Sequence, residues 1–390
     1  MRPPLWSGGA FLFLFSVFLS KPVTSYNLVA DYAGSTFFDN WIFYGNYDNL
    51  TLGDVIWQDE ANATADGLAF VNTAGNAVIK VDNTTNVPYN IKRNSVRITT
   101  QAAFEVGSLF IADFVHMPWG CSVWPAYWTK GIDWPEGGEI DILEGINLNT
   151  QNQMALHTRS GCLNVPPAPG AQIGQTGPLN CTAASGCTVV ETKPNSYGQA
   201  FNQAGGGVFA TQFDVTGVFI WFWSRPNIPA SIQAAASSTG PFTSLADWGV
   251  PSASYPSTGS CNTSEYFVAQ NLVLDITLCG EWAGEPSIYL PQCASQGPTG
   301  ICYNDNVIGP GSPKYDNAYF EIQYVKAYSL APAVFPANNT GNNTGSISSD
   351  GGTNPNDPTQ NTPSEATNSK SISVMVAILG VSIMTGVFLV

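Results

Sequence analysis

Three carboxylates lie within six residues in the segment Glu139-Ile-Asp-Ile-Leu-Glu144, although only 11% of the chain is charged. If this segment is a β-strand, Glu139 and Asp141 point to the same face, because alternate side chains share a face. A regular strand would turn Glu144 to the opposite face. One extra residue at Leu143, a β-bulge, returns Glu144 to the face of the other two acids, and bulges are frequent beside active sites.

Neighbouring carboxylates repel one another, so at neutral pH at least one of the three holds its proton more tightly than a free side chain does. The segment therefore offers an acid beside a base. Retaining glycoside hydrolysis needs such a pair, in which one carboxylate attacks the anomeric carbon and a carboxylic acid about 5–5.5 Å away protonates the leaving oxygen. The alternatives are a hard-cation site, a solvated strand face and a chance acidic cluster. Aromatic residues crowd the same stretch, which favours the catalytic interpretation.

The elements that position these acids are predicted to be strands. Short β-rich runs separated by Gly, Pro and Asn clusters follow one another from Tyr26 to about Leu330, a pattern typical of an all-β protein. The predicted strands are residues 95–100, 107–117, 124–129, 139–146, 154–158, 208–213, 218–224, 271–278 and 318–328. Half-buried strands hide their apolar faces by stacking, so we expect a two-sheet antiparallel β-sandwich of the jelly-roll type.

Two segments predict further features of the fold. The run Val218-Phe-Ile-Trp-Phe-Trp223 is apolar on both sides, which predicts a central strand. Residues 164–207 are rich in Pro, Gly, Ala and Ser, which predicts long loops held by disulfides. Eight cysteines without a CxxC motif fit up to four disulfides, and with only two histidines they disfavour a zinc site. The sequence assigns no metal ligands and no cofactor.

The two ends of the chain differ from the middle. Residues 1–25 hold Arg2, a short apolar stretch and small final residues, which predicts a signal peptide rather than a membrane anchor. Residues 332–370 are rich in Asn, Thr, Ser, Gly and Pro and predict a disordered stalk. Residues 371–390 are uncharged and apolar, as in a signal for glycosylphosphatidylinositol (GPI) attachment, with a terminal transmembrane helix as the alternative. We expect one catalytic domain over residues 26–331.

Charge and composition limit the kinds of partner that the chain can bind. The net charge of -15, with 13 Lys and Arg, disfavours nucleic acid, because a phosphate-binding protein needs a basic surface. A surface rich in Asn, Ser, Thr, Gly and Trp suits neutral sugars, which stack on aromatic rings and form neutral hydrogen bonds. Asn-x-Ser/Thr sequons agree with a secretory route. We therefore expect a secreted monomer, held by a glycolipid anchor at the plasma membrane or cell wall, that binds a polysaccharide.

Several motifs together carry a resemblance to a known family. They are Trp124-Pro-Ala-Tyr-Trp128, Trp134, Gly138-Glu-Ile-Asp-Ile-Leu-Glu-Gly145, Ala155-Leu-His-Thr158 and Cys279-Gly-Glu-Trp-Ala-Gly284. In order and spacing they resemble glycoside hydrolase family 16, in particular its fungal laminarinase-type endo-1,3(4)-β-glucanases. The resemblance spans most of the region from Tyr26 to Leu330. It implies a jelly-roll sandwich with an open cleft across its concave sheet, and a retaining double-displacement mechanism.

The resemblance also implies roles for the acids. Glu139 would be the nucleophile, Asp141 the residue that orients and tunes it, and Glu144 the acid/base. A pKa raised by neighbouring negative charge suits Glu144, which must be protonated in the first half-reaction and ionised in the second. Family branches that act on xyloglucan or crosslink chitin to glucan have a shorter ExDxE motif without the extra residue at Leu143, so this residue favours glucan hydrolysis.

Five residues are candidates for substrate binding. Trp134, in a Gly/Pro-rich loop, and Trp282, after the end of a strand, are predicted to contact sugar. Trp124 and Trp128 share one strand face, so either could contact sugar or pack in the core. His157 is expected to face the cleft through pairing of its strand with the acidic strand, with a structural histidine as the alternative.

Three functions remain open. The first is an endo-β-glucanase that hydrolyses internal β-1,3 bonds, or β-1,4 bonds adjacent to β-1,3 bonds, of glucans such as laminarin or lichenan. The second is a wall-remodelling transglycosylase, which shares the covalent intermediate but resolves it with a sugar hydroxyl instead of water. The third, a non-catalytic glucan-binding wall protein, ranks last because all three carboxylates are present. Ser122-Val123 and Glu281 depart from the family pattern and leave the linkage preference open.

Overall fold

Segments rich in Val, Ile, Phe, Tyr and Trp form strands that are distributed along residues 25–331, the part of the chain that the computed structural model describes. The strands are β1 (Asn27–Ala33), β2 (Trp41–Phe43), β3 (Val55–Trp57), β4 (Ala69–Val71), β5 (Ala77–Lys80), β6 (Asn86–Val87), β7 (Arg93–Ser95), β8 (Arg97–Thr100), β9 (Ser108–His116), β10 (Val123–Gly131), β11 (Glu139–Glu144), β12 (Gln153–His157), β13 (Gln175–Thr176), β14 (Cys187–Val190), β15 (Gly207–Asp214), β16 (Gly217–Ser224), β17 (Ala253–Pro256), β18 (Gln270–Leu278), β19 (Gly309–Pro310) and β20 (Tyr319–Ser329).

Short helices connect some of the strands. They are α1 (Glu60–Ala65), α2 (Gly198–Gln203), α3 (Ala230–Ala236), α4 (Thr263–Tyr266), α5 (Gly280–Ala283) and α6 (Pro286–Cys293). Among residues 25–331 no helix is long and apolar enough to cross a membrane. The predicted stalk (332–370) and attachment signal (371–390) lie outside the described residues, as does the predicted signal peptide up to residue 24.

The strands form two large antiparallel sheets. The cleft sheet has the order β13-β14-β12-β11-β10-β18-β8-β2, and the back sheet has the order β17-β16-β15-β9-β20-β5-β4, with β1 paired to β20. Side chains from the inner faces of both sheets share one buried core. Phe114 of β9 and Tyr127 of β10 meet in it edge to face at 5.5 Å. The predicted jelly-roll sandwich is therefore confirmed.

Each predicted strand is found, but one of them is divided into two strands. Residues 95–100 are split between β7 and β8, because β7 pairs with β3 whereas β8 pairs with β18. The strand predicted over residues 139–146 ends at Glu144.

The prediction that the run of residues 218–223 lies in a central strand is wrong. β16 is the second strand from the edge of the back sheet. Its outer face is apolar because Trp221 and Trp223 pack against Trp248, at 5.1 Å and 5.3 Å, in a second buried cluster under α3. A strand that is apolar on both faces is thus one whose two faces are both covered by other side chains, and it need not lie at the centre of its sheet.

The region 164–207 contains more regular structure than the predicted loops. It includes β13, β14 and α2, and β14 extends the cleft sheet by pairing with β12. β14 is only four residues long, so its pattern does not stand out from the surrounding loop. The prediction of up to four disulfides is met by Cys121–Cys293, Cys162–Cys261, Cys181–Cys187 and Cys279–Cys302.

Arg93 joins segments that are far apart in the sequence. Its side chain is fully buried. Nη1 donates to the carbonyl oxygens of Asp82 and Thr85, and Nη2 donates to those of Val307 and Gly309. The guanidinium thus satisfies four backbone acceptors that have little access to water.

We expect Arg93→Leu to lower the free energy of unfolding by about 3–5 kcal/mol, because it leaves these carbonyl groups without a donor. Urea unfolding of both proteins measures the difference. Arg159→Leu is the matched control, because Arg159 is 39% exposed and pairs with an exposed Glu265; its effect should stay within about 1 kcal/mol. Equal losses in the two variants would contradict this account of Arg93.

Candidate active site

A bulge in β11 brings its three acids to one face. Opposite Met154 of β12, strand β11 has two residues, Ile142 and Leu143. The register between β11 and β10 shifts at the same point. Both bulge side chains are fully buried in the core, so Glu144 returns to the outer face. The predicted bulge is confirmed, and the three carboxylates line one cleft.

Glu139 and Asp141 lie side by side on the face of β11, and each carboxyl group shifts the pKa of the other. Trp134 Nε1 also donates to Glu139 Oε2. Burial raises the pKa of Glu139 to about 8, and the charge of Asp141 adds to this, whereas His157 and Trp134 act in the opposite direction. Burial likewise raises the pKa of Asp141, while the neighbouring Glu139 carboxyl group lowers it.

His157 lies where its register predicted. It is opposite Glu139 in the β11–β12 ladder, and its Nε2 is 3.3 Å from Asp141 Oδ2. The contact lacks hydrogen-bond geometry, since Asp141 Oδ2 accepts no hydrogen bond from any described residue. We therefore interpret it as an electrostatic contact whose strength depends on the protonation of the imidazole.

Glu144 has its own aromatic donor. Trp124 Nε1 donates to Glu144 Oε1 at 2.9 Å, and the Trp124 ring meets Trp282 edge to face at 5.3 Å. Burial raises the pKa of Glu144 well above its ordinary value, and the charge of Asp141 raises it further. Both effects favour the protonated Glu144 carboxyl, which is the form that can act as an acid.

The cleft has a volume of about 470 Å³. Trp134 is 39% exposed and presents ring surface to it, and Trp124 and Trp282 are partly exposed. Trp128 lies on the same face but is only 4% exposed, and its Nε1 donates to Asp275 Oδ2 at 2.9 Å. Trp128 thus shapes the floor of the cleft and offers little surface for stacking.

A small disulfide-closed loop forms one wall of the cleft. Cys181–Cys187 closes it, and Ser185 lines the cleft. Gly186 has φ +66°, and a Cβ on it would lie 2.8 Å from His157 Nε2. The loop backbone therefore approaches the imidazole so closely that no side chain fits between them. Its composition is that of any small-residue loop, so the sequence gives no sign of this contact.

Sequence reasoning also missed a fourth carboxylate. Asp275 of β18 lies opposite Ala126 of β10 and lines the cleft. Burial raises the pKa of Asp275 to about 7, whereas the charge of Arg97 and the hydrogen bond from Trp128 lower it. The sequence pattern could have identified Asp275, because it lies on the polar face of a strand in which apolar and polar residues alternate.

A cation is the competing occupant of part of this site. Glu139, Asp141 and His157 each offer a ligand atom, and these atoms lie within 4.8 Å of one another. The N–H group of Trp134 is directed at the Glu139 carboxylate and stabilises its charge without a cation. This arrangement suits acid–base chemistry at the carboxyl groups better than metal ligation.

An acid beside a base, in a tryptophan-lined cleft across a β-sandwich, defines a class of carbohydrate-active enzyme. The comparison with known families agrees with this class. The profile described as "XgeA-like, catalytic GH16 domain" matches residues 41–328. The chain therefore belongs to glycoside hydrolase family 16 (GH16).

Individual relatives are similar over most of the described region. A probable glycosidase of Schizosaccharomyces pombe is 36% identical over 79% of this chain and 70% of the relative. A probable endo-1,3(4)-β-glucanase of Aspergillus niger is 35% identical over 85% of this chain, but the chain spans only 43% of that relative.

Two solved structures are similar in fold and sequence. Laminarinase 16A from Phanerochaete chrysosporium, with β-glucans in its donor and acceptor sites, has a TM-score of 0.71 and 32% identity, covering 78% of this chain and 100% of the laminarinase. An elongating GH family 16 β-1,3-glucosyltransferase has a TM-score of 0.70 and 36% identity, over 78% of this chain and 100% of the transferase.

The raised pKa of Glu139 predicts a pH-dependent cost in stability. A carboxyl group whose pKa is higher in the folded state favours folding while it is protonated, and this contribution is lost as the pH rises from about 4.5 toward 8. Glu139→Gln removes the ionisation. We expect the free energy of unfolding of this variant, relative to that of the wild type, to rise by on the order of 1–3 kcal/mol between pH 4.5 and pH 8.

Urea unfolding at both pH values tests this expectation. Glu136→Gln is the control, because Glu136 is an exposed carboxylate just before the same strand and its replacement should change stability by less than about 0.5 kcal/mol at either pH. A stability difference for Glu139→Gln that does not change with pH would contradict the assignment.

Proposed function

We propose that this chain is a retaining endo-β-glucanase that hydrolyses internal β-1,3 bonds, or β-1,4 bonds adjacent to β-1,3 bonds, of β-glucans such as laminarin or lichenan. The observation that carries the proposal is the bulged strand that presents Glu139 and Glu144 on one face of a tryptophan-lined cleft. The names of the Aspergillus niger relative and of the Phanerochaete laminarinase support this substrate class.

In the first half-reaction, Glu139 attacks the anomeric carbon while Glu144 gives its proton to the leaving sugar oxygen. Glu139 must be ionised to attack, so a proton held by this pair of acids with raised pKa values resides on Asp141 at that moment. The electrostatic contact of His157 and the hydrogen bond from Trp134 favour the ionised form of Glu139. Asp141 thus lets the nucleophile ionise without placing two full negative charges side by side.

In the second half-reaction, water attacks the anomeric carbon of the glycosyl-enzyme and the bond to Glu139 breaks. Glu144, now ionised, takes the proton from that water and returns to its starting state. Burial favours the neutral form of Glu144, whereas the hydrogen bond from Trp124 stabilises its charged form. These opposing effects suit a group that alternates between acid and base.

Transglycosylation is the second candidate. The observation that favours it is the similarity to the elongating β-1,3-glucosyltransferase, at 36% identity over the full length of that protein. Both reactions pass through the same covalent intermediate, and they differ in whether water or a sugar hydroxyl resolves it.

We also propose that the protein is a secreted monomer with a GPI anchor at the cell surface. The predicted signals at residues 1–25 and 371–390 support this, as do four disulfides and exposed sequon asparagines such as Asn49 and Asn180. Treatment of cells with a phosphatidylinositol-specific phospholipase should release it. Retention of the protein after cleavage of a control anchored protein would contradict the anchor.

We expect the wild type to release oligosaccharides from laminarin and lichenan but not from xyloglucan. Glu139→Ser should lower kcat by about 10³-fold or more, because it removes the nucleophile. Reducing-sugar release with product masses measures both effects. Glu136→Gln is the matched control and should stay within about threefold of the wild type. Undiminished activity of Glu139→Ser would exclude its role as the nucleophile.

Product size separates the two candidate functions. Incubation with a single laminari-oligosaccharide should give only shorter products if water resolves the intermediate. Products longer than the starting oligosaccharide, at low conversion and across a range of substrate concentrations, would instead establish transfer as the main reaction.

A further inference from the structure

The bulge in β11 interrupts the regular ladder beside Glu144, and one side chain fills the gap. Asn152, which directly precedes β12, donates from Nδ2 to the carbonyl oxygen of Ile142 at 2.9 Å. Its Oδ1 accepts from the backbone N–H of Glu144, also at 2.9 Å. Asn152 is fully buried, so water does not supply these bonds readily. A single amide thus holds both ends of the bulge.

The chemistry of this contact requires a side-chain amide. The bulge presents one acceptor and one donor, and an amide is the side-chain group that offers the complementary donor and acceptor in one plane. Aspartate lacks the donor, and leucine lacks both groups. Asn152 is itself held from both sides, because its N–H donates to Ser196 Oγ and its carbonyl accepts from the N–H of Glu191.

The contact reaches only one end of the acidic strand. Glu139, Ile140 and Asp141 pair with β12 in regular register, from Glu139 opposite His157 to Asp141 opposite Ala155. Loss of the amide should therefore leave the pairing of Glu139 intact and remove one of the contacts that hold the backbone at Glu144, which is also paired with Gln153 and Ala126.

We propose that Asn152 is a positioning residue for the acid/base: it fixes the direction in which the Glu144 carboxyl enters the cleft. This inference rests on the proposed glycosidase function. Asn152 touches the strand backbone and not the reacting atoms, so it acts through Glu144. A displacement of about 1 Å in a reacting group can cost about 10²-fold in rate.

The experiment uses a difference between the two half-reactions. With a 2,4-dinitrophenyl β-laminaribioside the leaving group departs without protonation, so the first step needs no acid. Azide can then attack the anomeric carbon of the glycosyl-enzyme and displace Glu139 without a base, which gives a β-glycosyl azide. A defect at the acid/base therefore lowers kcat/KM on laminari-oligosaccharides much more than on the aryl substrate. On the aryl substrate it slows the second half-reaction and so lowers kcat, which azide restores.

The variants are Asn152→Ala and Asn152→Asp, with Glu144→Ala as the reference for a missing acid/base. Asn306→Ala is the matched control, because Asn306 is also buried and donates two hydrogen bonds, to Tyr289 and the carbonyl of Cys302, away from the cleft. Circular dichroism melts of all variants measure the structural loss. Asn152→Asp keeps one acceptor, so it remains informative if Asn152→Ala does not fold.

We expect both Asn152 variants to lose about 10²-fold in kcat/KM on laminari-oligosaccharides and less than about tenfold in kcat/KM on the aryl substrate, because kcat/KM reports the first half-reaction, which needs no acid there. Azide should speed their turnover and give the β-glycosyl azide, as with Glu144→Ala. Asn306→Ala should lower the melting temperature. Any change in its kcat/KM should be the same for both substrates, and azide should not increase its turnover.

Two results would overturn the inference. Equal losses on both substrates without azide rescue, in a system where Glu144→Ala behaves as described, would show that Asn152 supports the fold only. If instead the wild type cleaves neither substrate, or Glu144→Ala is not rescued by azide, then the proposed function fails, and the role of Asn152 fails with it.

Discussion

The alternation of side chains along a strand is the constraint on which this site depends. Six regular residues would bury the last acid of β11 in the sandwich core, where an isolated carboxylate is very unfavourable. Placing Ile142 and Leu143 together on the core side resolves the conflict, because both apolar side chains are buried while Glu144 returns to the cleft. The same two residues thus serve the core and the active site.

The bulge has an energetic consequence that the rest of the cleft must offset. It concentrates carboxyl groups on one face, and burial raises the pKa values of Glu139, Asp141 and Glu144 together. The donors that contact them are mostly indole N–H groups, which stabilise negative charge without adding a positive charge. Tryptophans therefore have two uses here, because their polar edges hold the acids while their rings remain available to a sugar.

The parts of this arrangement that follow from local periodicity could be predicted from the sequence. The bulge and the placement of His157 required only the period of a strand and the pairing of neighbours. The burial of Trp128 could not be predicted, because it depends on side chains that reach it from distant segments. The covered outer face of β16, the strand β14 and the contacts of Asn152 likewise depend on long-range partners. Asp275 combines both kinds of feature. The strand face on which it lies could be predicted from the sequence, but the side chains around it could not.

In the proposed mechanism the contacts of the acid/base also bear on the choice between hydrolysis and transfer. Glu144 contacts the oxygen of the leaving sugar, so the rings beside it lie on the side of the cleft from which that sugar departs. Trp282 meets Trp124, which holds the Glu144 carboxyl. A sugar that stacks on this pair after the first half-reaction would exclude water from Glu144 and present its own hydroxyl to the same base. The affinity of this side of the cleft, rather than a change in the acids, would then set the balance between the two reactions.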